Sequence, residues 1–249
     1  MKYYGATDKG RVRKNNQDSY VIATNKVGDV FAIVADGIGG NLGGDIASQM
    51  AVADFSGAFS ETEYFNDAQE IKQWIGEQVS KTNERIYTYG QTHDGMKGMG
   101  TTLCGVIMTS VGKFVVNIGD SRAYAWFDDG RFIQLTMDHT LVNDMVMHGQ
   151  LTHEEAMNYP KKNVLTNALG VWQTVRCDID IHTEKMQGML LCSDGLHGYV
   201  TEKAIKSIIL DKDSDPSLRP RRLLKAAMDA GGFDNVTIVL IDLEGDGLV

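Results

Sequence analysis

Between residues 101 and 135, four runs rich in β-branched and aromatic residues (101–108, 113–118, 122–127 and 131–135) follow one another across short turns. Parallel strands need a crossover of a dozen or more residues, so runs this close must be antiparallel neighbours. Asp128-Asp129-Gly130 adds a hairpin signal, since such turns need a residue that accepts positive φ. The same strand pattern occurs at 3–7, at 175–181, at 189–192 and at 236–243, and a run at 19–23 is placed to pair with 30–35 across a turn at 25–29. Ile46, Met50, Ala53 and Gly57 recur at helical spacing, as do Ile71, Ile75, Val79, Thr82, Ile86 and Tyr89. Further helices are expected at 201–210 and along Leu223, Ala227 and Ala230, with Pro216 and Pro220 in the loop between them. Residues 138–160 read as two short helices. No linker or repeat divides the chain, so one domain over 1–249 is the simplest account, with antiparallel sheets as its core and helices covering them.

Composition narrows the function classes. The formal net charge of -9 argues against a general nucleic-acid binder, which needs a basic face. The 3 Cys (Cys104, Cys177, Cys192) form no C-x-x-C pair and are odd in number, which points away from a disulfide framework and from a zinc–thiolate site. A reducing cytoplasm suits such a chain. No segment approaches the ~20 consecutive apolar residues of a spanning helix. The glycines after Asp36 do not make a dinucleotide fingerprint, because Leu42 stands where the third glycine belongs.

Four aspartates share one habit, each sitting at the border of an apolar strand beside small residues: Asp36 in Val-Ala-Asp-Gly, Asp120 in Gly-Asp-Ser-Arg, Asp194 in Cys-Ser-Asp-Gly and Asp234 in Phe-Asp-Asn-Val. Adjacent antiparallel strands could bring these ends to one rim. Two carboxylates ~4 Å apart repel by about 4 kcal/mol at an effective dielectric near 20, so a cluster must either protonate or hold cations. Oxygen-only donors select hard ions, Mg²⁺ or Mn²⁺. Spacing alone is equally well explained by four independent turn aspartates. Arg13 lies in a basic stretch before Asp18, and its planar fork suits two phosphate oxygens.

Taken together, Arg13-x-x-x-Gln17-Asp18, Asp36-Gly37-Ile38-Gly39-Gly40, Gly100-Thr101-Thr102, Gly119-Asp120-Ser121-Arg122, Ser193-Asp194-Gly195-Leu196 and Asp234-Asn235 resemble, in order and spacing, the metal-dependent protein serine/threonine phosphatases (the PPM or type 2C family), in its bacterial branch. The resemblance implies an α+β fold, a four-layer α-β-β-α sandwich of two antiparallel sheets flanked by helices, with a variable flap at about 138–163. It implies two Mn²⁺ or Mg²⁺ ions at one edge and a third, weaker one. Asp36 would bridge the first two; Asp194 and Asp234 would complete one site and the Gly37 carbonyl would join the other; Asp120, with Asp194, would hold the third. Asp18 would orient metal-bound water and Arg13 would bind the substrate phosphate.

Three positions depart from that pattern. Gln17 stands where many relatives carry glutamate, Ile38 where eukaryotic relatives carry a histidine proposed as general acid, and Asn167 where bacterial members usually carry arginine. The function expected from the resemblance is hydrolysis of phosphoserine and phosphothreonine in proteins, with substrates supplied by a serine/threonine kinase, no nucleic-acid partner and a cytoplasmic setting. The alternatives are a phosphoprotein-binding module of the same fold and a phosphatase of small phosphoesters.

Overall fold

A computed structural model describes residues 1–39 and 43–243; Gly40 and Leu42, named in the motifs above, lie outside the described residues. In chain order the elements are β1 (Lys2–Asp8), β2 (Asp18–Thr24), β3 (Val30–Ile38), α1 (Gly44–Ser60), α2 (Ala68–Thr92), β4 (Gly100–Thr101), β5 (Leu103–Met108), β6 (Lys113–Ile118), β7 (Arg122–Trp126) and β8 (Phe132–Gln134). They continue with α3 (Leu141–Met147), α4 (His153–Met157), β9 (Asp178–His182), β10 (Gly188–Cys192), α5 (Asp194–His197), α6 (Glu202–Ile209), α7 (Arg219–Asp229) and β11 (Val236–Asp242).

The strands form two antiparallel sheets, one ordered β1-β11-β10-β7-β8 and the other β2-β3-β5-β6-β9, with β4 paired to β3. Side-chain alternation explains the layering. Along β3, Phe31 and Ile33 point to α1 and α2, while Val30, Ala32 and Val34 point to the opposite sheet. Along β11, Ile238 and Leu240 face the C-terminal helices, and Val239 and Ile241 face the other sheet. Both strands are covered on both faces, which is why they read as unbroken apolar runs rather than alternating ones. Each such Val, Ile or Phe contributes about 1.5–3 kcal/mol by leaving water. The result is the α-β-β-α sandwich expected from the resemblance.

The local differences have physical causes. In α1 the buried face is carried by Ala47, Met50, Ala51, Phe55 and Phe59, whereas Ala53 and Gly57 are exposed. Phe55 and Phe59 decide the face, because they join Phe31, Phe65 and Trp74 in an edge-to-face aromatic cluster. Pro220 belongs to the first turn of α7 rather than to a loop, a position where its missing N–H costs nothing. β9 begins at Asp178, three residues later than the apolar run suggested. The one-turn helix α5 at Asp194 was not expected, since four residues carry no period. Among the described residues, no helix is long and apolar enough to cross a membrane.

Candidate metal centre

Strand register brings the aspartates together. Asp18 opens β2 and lies opposite Asp36 near the end of β3. β10 runs beside β11 and delivers Asp194 just past its own last residue, next to Asp234 just before β11 begins. Asp120 sits in the turn between β6 and β7, on the same rim. The charges of Asp18, Asp194, Asp120 and Asp234 all act on Asp36, so the five carboxyl groups share one field. Gly37 adjoins them, and a Cβ there would overlap the carbonyl oxygens of Gly44 and Gln17; only glycine lets the start of α1 pack this close.

Hydroxyl and amide side chains hold the rim in place. Thr102 accepts the Asp36 backbone N–H at 2.9 Å, and the Thr101 hydroxyl donates to the Asp36 carbonyl at 2.9 Å. Thr102 and Ser121 share a hydrogen bond of 2.7 Å, which ties the Gly-Thr-Thr and Gly-Asp-Ser-Arg motifs to one another. Asn235 accepts from the Gln17 N–H (2.8 Å) and donates to the carbonyls of Lys9 (2.8 Å) and Asn15 (2.9 Å), pinning the basic segment against the start of β11. His197 Nε2–H donates to the Asp120 carbonyl at 2.9 Å. Burial pushes the His197 pKa down to about 3, with Arg122 adding to the effect, so this histidine is a neutral donor. Arg122 in turn grips Asp138 through two parallel bonds of 2.9 and 2.6 Å.

None of these supporting roles was read from the sequence. Serine, threonine and asparagine are ordinary turn residues, and only their position beside each aspartate in every motif could have signalled a task.

The carboxyl groups are strained electrostatically. Burial raises Asp120 to about 8, with the charges of Asp194 and Asp138 adding to it. Burial raises Asp18 to about 7, opposed by its hydrogen bonds with Ser193 and Thr237. Asp194 is raised to about 6 by burial and the Asp234 charge, partly offset by a hydrogen bond from Asp36. Asp36 is pushed well above the ordinary carboxylate range by burial and then by its four neighbours.

In this structure the groups satisfy one another: Asp36 bonds Asp194, Ser193 donates to Asp18 Oδ2 at 2.7 Å, and Arg13 donates to Asp234 Oδ2 at 2.6 Å. In that closed arrangement, no three His, Cys, Asp or Glu side chains among the described residues stand ready to hold an ion. Asp18 Oδ1, however, is buried with no hydrogen-bond partner. An orphaned carboxylate oxygen within a crowd of acids, all oxygen donors, fits hard divalent cations and fits no other cofactor class. The sequence-expected residues Asp18, Asp36, Gly37, Asp120, Asp194, Asp234 and Arg13 are thus all brought to one rim. Arg13 meets a carboxylate there rather than standing free.

The segments flanking α3 and α4 also reach this rim. His139 is buried, accepts the Gly119 N–H on Nδ1 at 3.1 Å, and bonds Asp178 through Nε2 at 2.9 Å. Its backbone N–H donates to the Gly119 carbonyl, and its carbonyl accepts from Thr166. Between these segments lie α3 and α4, whose two flanks are tied to one another by the bridge Thr140–Leu165.

Comparison with known proteins agrees with the geometry. The family profile described as "Protein phosphatase 2C" matches residues 8–225. The chain is 38% identical over 237 residues to the serine/threonine phosphatase stp of Listeria monocytogenes, covering 95% of this chain and 93% of the relative. It is 35% identical over 238 residues to the protein phosphatase PhpP of Streptococcus pneumoniae, covering 95% of each. Among solved structures it is similar to the serine/threonine phosphatase Stp1 from Staphylococcus aureus (TM-score 0.92, 30% identity, 98% of this chain and 96% of that one). It is also similar to the S. agalactiae serine/threonine phosphatase (TM-score 0.91, 35% identity, 98% and 99%).

Proposed function

The chain belongs to the protein phosphatase 2C family, and we propose that its aspartate rim is the metal centre of a serine/threonine protein phosphatase acting on phosphoproteins in the cytoplasm. The activity is hydrolysis of phosphoserine and phosphothreonine esters. The observation that carries the assignment of the site is the convergence of Asp18, Asp36, Asp120, Asp194 and Asp234 in one field, with an unpartnered buried oxygen on Asp18.

Asp36, Asp194 and Asp234 with the Gly37 carbonyl would hold two Mn²⁺ or Mg²⁺ ions, and Asp120 with Asp194 a third. When bound, such ions supply Lewis-acid charge that makes water a nucleophile at neutral pH and neutralises the phosphoryl group. Asp18 orients the attacking water as an acceptor through Oδ1, while its other oxygen stays on Ser193. Arg13 holds the phosphate. Its side chain is 52% exposed, so it can exchange Asp234 for a phosphate oxygen without breaking buried structure. Positioned charge of this kind stabilises a phosphoryl-transfer transition state with little covalent work from the protein.

Ile38 stands where the resemblance places a histidine in eukaryotic relatives, and the rim histidines are committed elsewhere, His197 to the Asp120 carbonyl and His139 to Gly119 and Asp178. No histidine is therefore assigned to leaving-group protonation. The substrates are proposed to be products of a serine/threonine kinase. Net charge and the unpaired cysteines support the absence of a nucleic-acid role and the cytoplasmic setting.

The test is hydrolysis of a phosphothreonine peptide under Mn²⁺ titration. Activity is expected to need the metal, to vanish in excess chelator and to vanish in Asp36→Asn. Full turnover by that variant would overturn the assignment.

A further inference from the structure

The segment 9–14 is mounted rigidly beside the rim. Arg11 N–H donates to the Gly232 carbonyl at 2.8 Å, and Asn235 holds the carbonyls of Lys9 and Asn15. From this fixed backbone the side chains of Lys9, Arg11, Val12, Arg13 and Lys14 are all exposed. Among the described residues, Lys9, Arg11 and Lys14 enter no ion pair. In a chain of net charge -9, Lys9, Arg11, Arg13 and Lys14 concentrate cations in one short segment beside the acidic rim.

Near Arg13 stands an exposed aromatic pair. Tyr199 (40% exposed) and Phe233 (51% exposed) lie with ring centroids 5.6 Å apart. Phe233 precedes Asp234 in the chain, and Tyr199 lies within the charge field of Asp234, Asp194 and Arg13. Val12, in the basic segment, is 62% exposed. Two large rings left in water beside a proposed phosphate site, on backbone that is itself fixed, are the composition of a recognition surface.

We propose that Lys9, Arg11 and Lys14 together with Tyr199 and Phe233 form the docking surface for the substrate peptide, selecting phosphorylated segments that carry an acidic residue and a large apolar residue next to the phosphorylated one. The proposal rests on the phosphatase reading of the rim and specifies its substrate class. Its occupant is set by continuity with Arg13 and by charge: cations take the acidic flank and the ring pair takes the apolar one.

The test uses the whole chain with Mn²⁺ and a set of phosphothreonine peptides of equal length, differing only at the residues beside phosphothreonine (Phe against Ala; Glu against Lys). The wild type is expected to favour Phe and Glu by about fivefold each in kcat/KM, the size of one ring contact or one exposed charge pair, and to do so through KM. Tyr199→Ala is expected to bring the Phe preference below about twofold and keep the Glu preference. Arg11→Ser with Lys14→Ser is expected to do the opposite, and the Glu preference in the wild type is expected to fade as salt rises.

Anisotropy of the same labelled peptides reads binding without turnover. An active enzyme indifferent to both flanks, or variants that keep both preferences, would overturn the docking surface. A protein that ranks the peptides yet hydrolyses neither them nor 4-nitrophenyl phosphate would support the surface and count against the catalytic reading.

Discussion

Asn167 donates its amide to His139 Nδ1 at 2.8 Å and to the Arg176 carbonyl at 2.7 Å, while its own oxygen accepts the Arg176 N–H at 3.1 Å. Every polar atom of that buried amide is satisfied, and His139 in turn carries the Gly119–Asp120 turn. Asn167, a departure from the pattern expected of the family, is here a knot between the segment after α4, the chain just before β9 and the rim.

Asn167→Ala strips partners from buried groups and is expected to cost about 1–3 kcal/mol, lowering Tm by roughly 2–4 °C per kcal/mol for a chain of this size. A pair of variants at His139 separates the knot's two arms. His139→Asn can keep an acceptor for the Gly119 N–H, while His139→Gln can keep only the donor toward Asp178. Hydrogen exchange at the Gly119 amide is expected to stay slow in the first and to accelerate by at least about tenfold in the second. Equal exchange in both would show that His139 does not hold the turn.

The carboxyl crowd makes the metal-free protein sensitive to pH. Asp194, Asp18 and Asp120 are raised to about 6, 7 and 8 by burial and by one another. Groups whose folded pKa lies above the unfolded value bind more protons when folded, so stability falls as pH rises through that window. In chelator, Tm is expected to decline between pH 5 and pH 8. Asp36→Asn removes the need to keep a proton on that buried carboxyl and is expected to raise Tm at pH 8 in chelator while abolishing activity. A flat profile, or a destabilised variant, would contradict the electrostatic account of the rim.

Gly195 allows the start of α5 to touch β11: a Cβ there would overlap the carbonyl oxygen of Asn235. Backbone cannot yield as a flexible side chain can. Gly195→Ala is expected to destabilise by more than about 2 kcal/mol through overpacking, measured by urea unfolding. Gly130, with nothing within 4 Å of its Cβ position, is the contrasting site for crowding.

The buried thiols are expected to be silent. Burial pushes Cys192 and Cys177 up to about 12 and Cys104 well above its ordinary value. In the native protein the buried Cys104 and Cys192 are expected to react with an aromatic disulfide reagent at pH 8 at a rate set by unfolding, and all three thiols to react in denaturant. Fast labelling of more than one thiol in the native protein would contradict the burial of Cys104 and Cys192.

The sequence by itself determined the antiparallel frame, because the runs between 101 and 135 are too close for crossovers, and it marked four aspartates at strand borders as candidates, while spacing alone left them equally well explained as turn residues. The tertiary structure alone decided what surrounds them. The face of α1 turned on Phe55 and Phe59 finding Phe31 and Trp74, contacts that helical spacing does not contain. Ser193 on Asp18, Thr102 on Asp36 and His197 on Asp120 join residues 175, 66 and 77 positions apart. Hydrogen bonds of that reach depend on strand register and sheet packing rather than local propensity, and they place the acids that the sequence could only name.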